Sequence, residues 1–199
     1  MMLMWELLLE NFAKKGVQLD ENELAIIQSV FHYRKYRKNQ YILQQGDVAR
    51  YESFIIKGLA RKYDVDDKGQ EHVLLFLAEE WWAGDLYSFY TGQPTYYNID
   101  CLEETEVLQI TRQDLEYLYN RVPKMNIYFR ILFQNSIIAY NKRIASALSK
   151  SALDRYCEFV ERYPHIEQRI PNHQVASFLG ITPQSLSRLR KQYTAKPGL

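Results

Sequence analysis

Cysteine is scarce: the 199 residues hold only Cys101 and Cys157, far apart and outside any CxxC pattern or run of His/Cys ligands. That argues against a disulfide framework and a zinc module and points to a reducing cytoplasm. No uninterrupted apolar run reaches the roughly 18 residues of a membrane span. The nearest, Ile127 to Ala139, is broken by Arg130, Gln134 and Asn135, so no membrane partner is expected. The apolar opening, Met1 to Leu9, contains Glu6 and runs into Glu10, without a basic start or a small-residue cleavage site, and reads as a first helix. Enzyme signatures are missing too: no glycine-rich nucleotide loop, no Gly-x-Ser-x-Gly elbow, no His-Glu-x-x-His and no recognisable pair of catalytic carboxylates. The expectation is therefore not an enzyme.

What is present suffices for a folded chain. Apolar residues make up 47% and charged residues 25%, far from the composition of a disordered segment. The net charge of +1 conceals an asymmetry: ten basic against four acidic residues follow Asn141, and fifteen against twenty precede Lys142. A basic C-terminal part behind a mildly acidic N-terminal part fits a polyanion binder at the C-terminal end.

Residues 5 to 31 show helical spacing, with Asp20 placed to cap a helix beginning at Glu21. From Tyr41 the pattern changes to short aromatic and β-branched segments: Tyr41 to Leu43, Phe54 to Ile56, Leu59 to Tyr63, His72 to Leu77, Tyr96 to Cys101 and Glu106 to Ile110. Gly46-Asp47, Lys57-Gly58 and Asp66 to Gly69 punctuate them. This spacing predicts an antiparallel roll or barrel. Thr111 caps a helix that Val122-Pro123 interrupts, and Pro123 opens the longest helix, to Leu148. Its apolar residues form two strips, Phe133, Ile137, Tyr140, Ile144 and Ala147 beside Ile127, Ile131, Ile138 and Ala145. One strip covers the roll; the other predicts a homodimer through a parallel seam. A further helix, Ser151 to Tyr163, stops before Pro164.

Residues 171 to 191 carry the functional reading. Val175, Ala176 and Leu179 mark the inner face of a short helix, Gly180 permits the turn, and Thr182 with Pro183 starts a second helix on which Leu186 and Leu189 face inward. That second helix has no acidic residue, which suits entry into the negative potential of a major groove. Gln184, Ser185 and Arg188 are the candidates for base edges; Thr182, Ser187, Arg190 and Lys191 are the candidates for phosphates.

With these residues in hand, the chain resembles the transcription regulators of the cyclic-AMP receptor protein and fumarate-nitrate reduction regulator (Crp/Fnr) type. The resemblance rests on Ile42 to Asp47, Phe54 to Arg61, Gly84 to Ser88, the long helix and Val175 to Lys191. It implies an α+β protein: a cyclic-nucleotide-binding-like antiparallel β-roll with flanking helices over residues 1–122, a dimerisation helix over 123–148, and a winged helix-turn-helix over 149–199, with Ile166 to Ile170 as a strand before its helices. It implies double-stranded DNA with a palindromic operator, a second copy of the chain, RNA polymerase and a small-molecule effector as partners. The implied effector pocket is a degenerate phosphate-binding cassette of Gly84, Asp85, Leu86, Tyr87, Ser88, Thr95 and Tyr96. Relatives that bind cyclic AMP carry an arginine where Thr95 stands here, and no Lys or Arg occurs between Lys68 and Arg112. A cyclic nucleotide, cyclic AMP or cyclic GMP, is therefore disfavoured as cofactor, since its phosphate would lose a charge-assisted hydrogen bond. The aromatic residues Trp81, Trp82, Tyr87, Tyr90, Tyr96 and Tyr97 suggest a more apolar effector. An iron-sulfur sensor would need about four cysteines, and beyond the opening helices a haem sensor has only His72 to offer in the roll. The other reading is a cyclic-nucleotide-binding module that signals to a protein partner without touching DNA.

Overall fold

Asp20 stands at the entrance to the second helix with its carboxylate on the Glu23 amide, while the Glu23 side chain returns to the Asp20 amide. This reciprocal cap fixes where the chain turns helical. The computed structural model describes residues 2–194. The elements are α1 (Met2–Ala13), α2 (Glu21–Val30), β1 (His32–Tyr36), β2 (Tyr41–Leu43), β3 (Tyr51–Lys57), β4 (Ala60–Val65), β5 (Glu71–Leu77) and β6 (Trp82–Ala83). They continue with α3 (Leu86–Thr91), β7 (Asn98–Cys101), β8 (Thr105–Thr111), α4 (Arg112–Arg121), α5 (Lys124–Ser149), α6 (Ala152–Arg162), α7 (Asn172–Leu179) and α8 (Pro183–Thr194). The strands form two antiparallel four-stranded sheets, ordered β1-β8-β3-β6 and β2-β7-β4-β5, an α+β architecture. Among the described residues no helix is long and apolar enough to cross a membrane.

The chain divides into two compact units: residues up to Tyr63 together with Phe76–Asn135, and Asp64–Leu75 together with the chain from Ser136 onward. In the first unit Leu8, Phe12, Ile27, Phe54, Leu108, Ile110 and Leu118 are fully buried. The Phe12 and Tyr128 rings meet edge to face at 4.6 Å, and Trp82 packs among Phe31, Phe54 and Phe129. The polar atoms of these aromatics are satisfied in series, Trp82 Nε1 donating to the Tyr128 hydroxyl (2.9 Å) and that hydroxyl to Asn11 (2.8 Å). Trp82 itself is half-buried. Gly58 (φ +105°) makes the β3–β4 turn: a Cβ there would lie 2.6 Å from the Glu104 carbonyl oxygen, so no other residue fits.

In the second unit Phe159, Tyr163 and Phe178 pack within 6 Å of one another, and Tyr156 meets Tyr193 edge to face. Arg155 donates to the Leu179 carbonyl at the end of α7 (3.0 Å), and the Ser177 hydroxyl binds both the Glu71 carbonyl (2.9 Å) and the Val73 amide (3.0 Å). The strand expected over Ile166 to Ile170 is instead a 3-10 turn, Glu167–Arg169, and among the described residues no strand follows β8. Isolated strand backbone would leave its ladder groups unpaired, whereas here Arg169 and Ile170 bond to Ile166 and Glu167 three residues back. Ile166 and Ile170 are both buried, at a spacing of four that serves a helical turn as well as a strand.

Candidate functional site

Two constellations carry the chemistry, one in each unit. In the first, β6 delivers Gly84 and Asp85 to the start of α3. A Cβ at Gly84 would meet the Glu52 carboxyl, the far end of a side chain that would have to shift to admit it. Asp85 is 4% exposed and both of its oxygens are taken. Thr95 donates to Oδ2 at 2.7 Å, and the Lys62 ammonium pairs with Oδ1 at 3.2 Å. Lys62 also donates to the Gly84 carbonyl (3.3 Å) and lies 4.4 Å from the centre of the Tyr97 ring. Ser88 braces the turn, accepting from the Ala49 amide and donating to the Gln93 carbonyl. Leu86, Tyr87 and Tyr96 are exposed, the two tyrosine rings stacked at 5.7 Å.

Lys62 reaches the turn from β4, where side chains alternate. Arg61 takes the opposite side and grips Asp100, its register partner on β7, with two bonds of 2.8 and 3.0 Å. Lys62 lies outside the cation-free span between residues 68 and 112, and the Arg61-Lys62 pair inside an apolar strand is the one sequence signal that marks it. Glu52 also lies outside that span. This carboxyl is buried on β3, its Oε1 has no hydrogen-bond partner among the described residues, and burial pushes its pKa up to about 8. The Lys62 charge pulls it back and the Asp85 charge adds to the rise.

Thr95, which stands where the resemblance leads one to expect an arginine, thus faces Asp85, and Lys62 is paired with the same carboxylate.

In the second unit α7 ends at Gly180, whose left-handed backbone (φ 65°, ψ 37°) lets the chain turn, and the Ile181 amide closes on the Ala176 carbonyl. Val175, Ala176, Leu179 and Leu186 are buried. Thr182 accepts from the Ser185 amide (3.2 Å) and its hydroxyl meets that of Ser185 (3.0 Å), fixing the start of α8. Gln184, Ser187, Arg188 and Lys191 are exposed and Ser185 is half-buried. The Ser187 hydroxyl bonds back to the Pro183 carbonyl. Arg190, expected on a phosphate, is paired with Glu167 (3.0 Å) and Asn172 (2.6 Å), so a phosphate would have to compete with that carboxylate.

Residues 33–122 match the family model of the cyclic nucleotide-binding domain. No curated protein sequence matches the chain. Among solved structures the chain is similar to CLP of Xanthomonas campestris, described as a c-di-GMP responsive global regulator. The identity is 15% and the TM-score 0.70, over 88% of this chain and 92% of that one. It is similar to FixK2 from Bradyrhizobium japonicum (17% identity, TM-score 0.71, over 85% and 90%). A third similar structure is described as a transcriptional regulator of the Crp/Fnr family, from Eubacterium rectale (16% identity, TM-score 0.66, over 88% and 84%). At these identities the likeness shows the fold. The chain thus shares the fold of these solved structures, and residues 33–122 within it are similar to a cyclic nucleotide-binding domain.

Proposed function

We propose that the chain is a homodimeric, sequence-specific DNA-binding transcription regulator and not an enzyme, with a roll that does not take cyclic AMP in the usual mode. The observation that carries the reading is α8: capped by Thr182, free of acidic residues, and exposing Gln184, Arg188 and Lys191 beside the Gly180 turn. A helix of this charge is drawn to the phosphates of a duplex and presents its first turns to base edges. Gln184, Ser185 and Arg188 read bases, and Thr182, Ser187 and Lys191 touch phosphates. Arg190 holds α8 to the 3-10 turn through Glu167 and reaches a phosphate only by leaving it. The structural relatives' descriptions as regulators support this class of function, and RNA polymerase is the protein partner this reading proposes for it.

A gel shift on random duplex DNA at low salt separates this reading from a module acting on a protein partner. The regulator shifts the duplex; a folded protein that leaves it unshifted overturns the proposal. Arg188 has no hydrogen bond or ion pair among the described residues, and its planar fork suits guanine. Arg188→Ala is expected to weaken specific binding by about 1–3 kcal/mol and to relax preference at one half-site position. Unchanged base preference in a competition assay would remove Arg188 from base reading.

For the roll, calorimetric titration of cyclic AMP is expected to give no heat of specific binding, because Asp85 is engaged on one oxygen by Thr95 and on the other by Lys62. Micromolar binding that vanishes in Asp85→Ala would contradict this.

A further inference from the structure

We infer that the turn at Gly84 and Asp85 forms an ammonium site, and that Lys62 is its built-in occupant. The inference rests on the reading of Gly84 to Ser88 as the effector turn of the roll. Its failure shows in unfolding and labelling measurements, which are independent of DNA binding.

The groups that face the Lys62 ammonium are those a cation seeks. The Asp85 carboxylate lies 3.2 Å away, the Gly84 carbonyl oxygen 3.3 Å, and the face of Tyr97 4.4 Å from its centroid. Behind Gly84 lies the Glu52 carboxyl, with Oε1 unpartnered, so the floor of the site also offers an acceptor. Thr95 is turned so that its hydroxyl donates to Asp85, which holds that carboxylate in place to receive the cation. The Lys62 and Asp85 side chains are 11% and 6% exposed, so the pair is sealed from water as a bound ligand would be.

An anion entering here would meet lone pairs of Asp85 and Gly84, and could reach Lys62 only by leaving Asp85 buried without its counter-charge. A tethered lysine also outcompetes free amines, because its effective concentration at the site is set by the strand that carries it. The chemical class recognised is therefore a primary ammonium, and the wild-type chain supplies its own. The roll keeps this turn closed without a dissolved ligand.

Shortening the lysine opens the site to chemical rescue. Lys62→Ala is expected to melt roughly 6–12 °C below the wild type. n-Propylammonium chloride in the tens of millimolar should recover much of that loss, as sodium chloride or sodium methyl phosphate at the same ionic strength should not. Wild type should respond to none of them, and Lys62→Met, whose stem fills the space of the amine, should melt low without rescue. A folded Lys62→Ala protein that ignores the amine, or is rescued by methyl phosphate, overturns the inference. If Lys62→Ala does not fold, the wild-type protein still decides. Acylation of Lys62 by an amine-reactive reagent, followed by mass spectrometry, should run about tenfold or more slower than at exposed Lys38 and Lys68. Labelling at the rate of those lysines shows the site open and refutes it.

Discussion

Raising the pH from 5 to 8 is expected to remove on the order of 3 kcal/mol of folding stability through Glu52 alone. In the unfolded chain this carboxyl loses its proton near 4.5, while in the folded protein it holds it until about 8. Between those values the native state binds more protons than the unfolded state. Stability is therefore full below about 4.5 and falls as the pH rises through this window. The cause is burial on β3 with one oxygen unpartnered, partly offset by the attraction of Lys62. Other carboxyls work in the opposite sense: Glu80 and Glu158 are held below the usual range, Glu158 by Lys150 and Ser146, and lose their contribution in acid. The difference between wild type and Glu52→Leu isolates the one group. That variant is expected to be more stable by roughly 3 kcal/mol at pH 7, with the gap closing toward pH 4.5 in urea unfolding curves. A gap independent of pH would show that Glu52 does not titrate in this range.

The second large effect is expected at α5. Ile137 and Ile144, seven residues apart on one side of the helix, are each 59% exposed, with Ile138, Tyr140 and Leu148 exposed beside them. Fully burying such a side chain is worth roughly 1.5–3 kcal/mol, and a two-fold seam counts each residue twice. Glutamate at both isoleucines would set like charges against each other in an apolar contact. The variant Ile137→Glu/Ile144→Glu should sediment as a monomer, because the seam of the proposed dimer then repels itself. Its affinity for a two-half-site operator should fall by about 10²–10⁴-fold, since one recognition helix no longer brings the other with it. A variant that remains dimeric with full affinity places the contact elsewhere.

The parts of the fold legible in the sequence were those fixed by local chemistry. Asp20 and Thr111 each cap the helix that follows them, through the amide three residues on. Gly180 and Thr182-Pro183 located α7 and α8 for the same reason, because positive φ and a missing N–H leave few alternatives. What escaped depends on pairing at long range. β1 reads His-Tyr-Arg-Lys-Tyr, with only Tyr36 buried; it is a strand because β8 bonds to it, and no apolar alternation announces it. β6 is two residues long and exists through β3. Lys62 and Glu52 lie more than 20 residues before the turn they serve, so no window along the chain brings them together. The stretch Ile166 to Ile170 failed for a third reason, since two buried isoleucines four apart satisfy both periods.

Selection of bound duplexes from a random DNA pool by the purified protein, with and without cyclic AMP, tests the central claim most directly. The account predicts enrichment of a palindrome whose half-sites lie about one helical turn, 10–10.5 base pairs, apart, with the same sequences recovered in both arms. A pool that stays unenriched, or yields single asymmetric sites bound by a monomer, would contradict it.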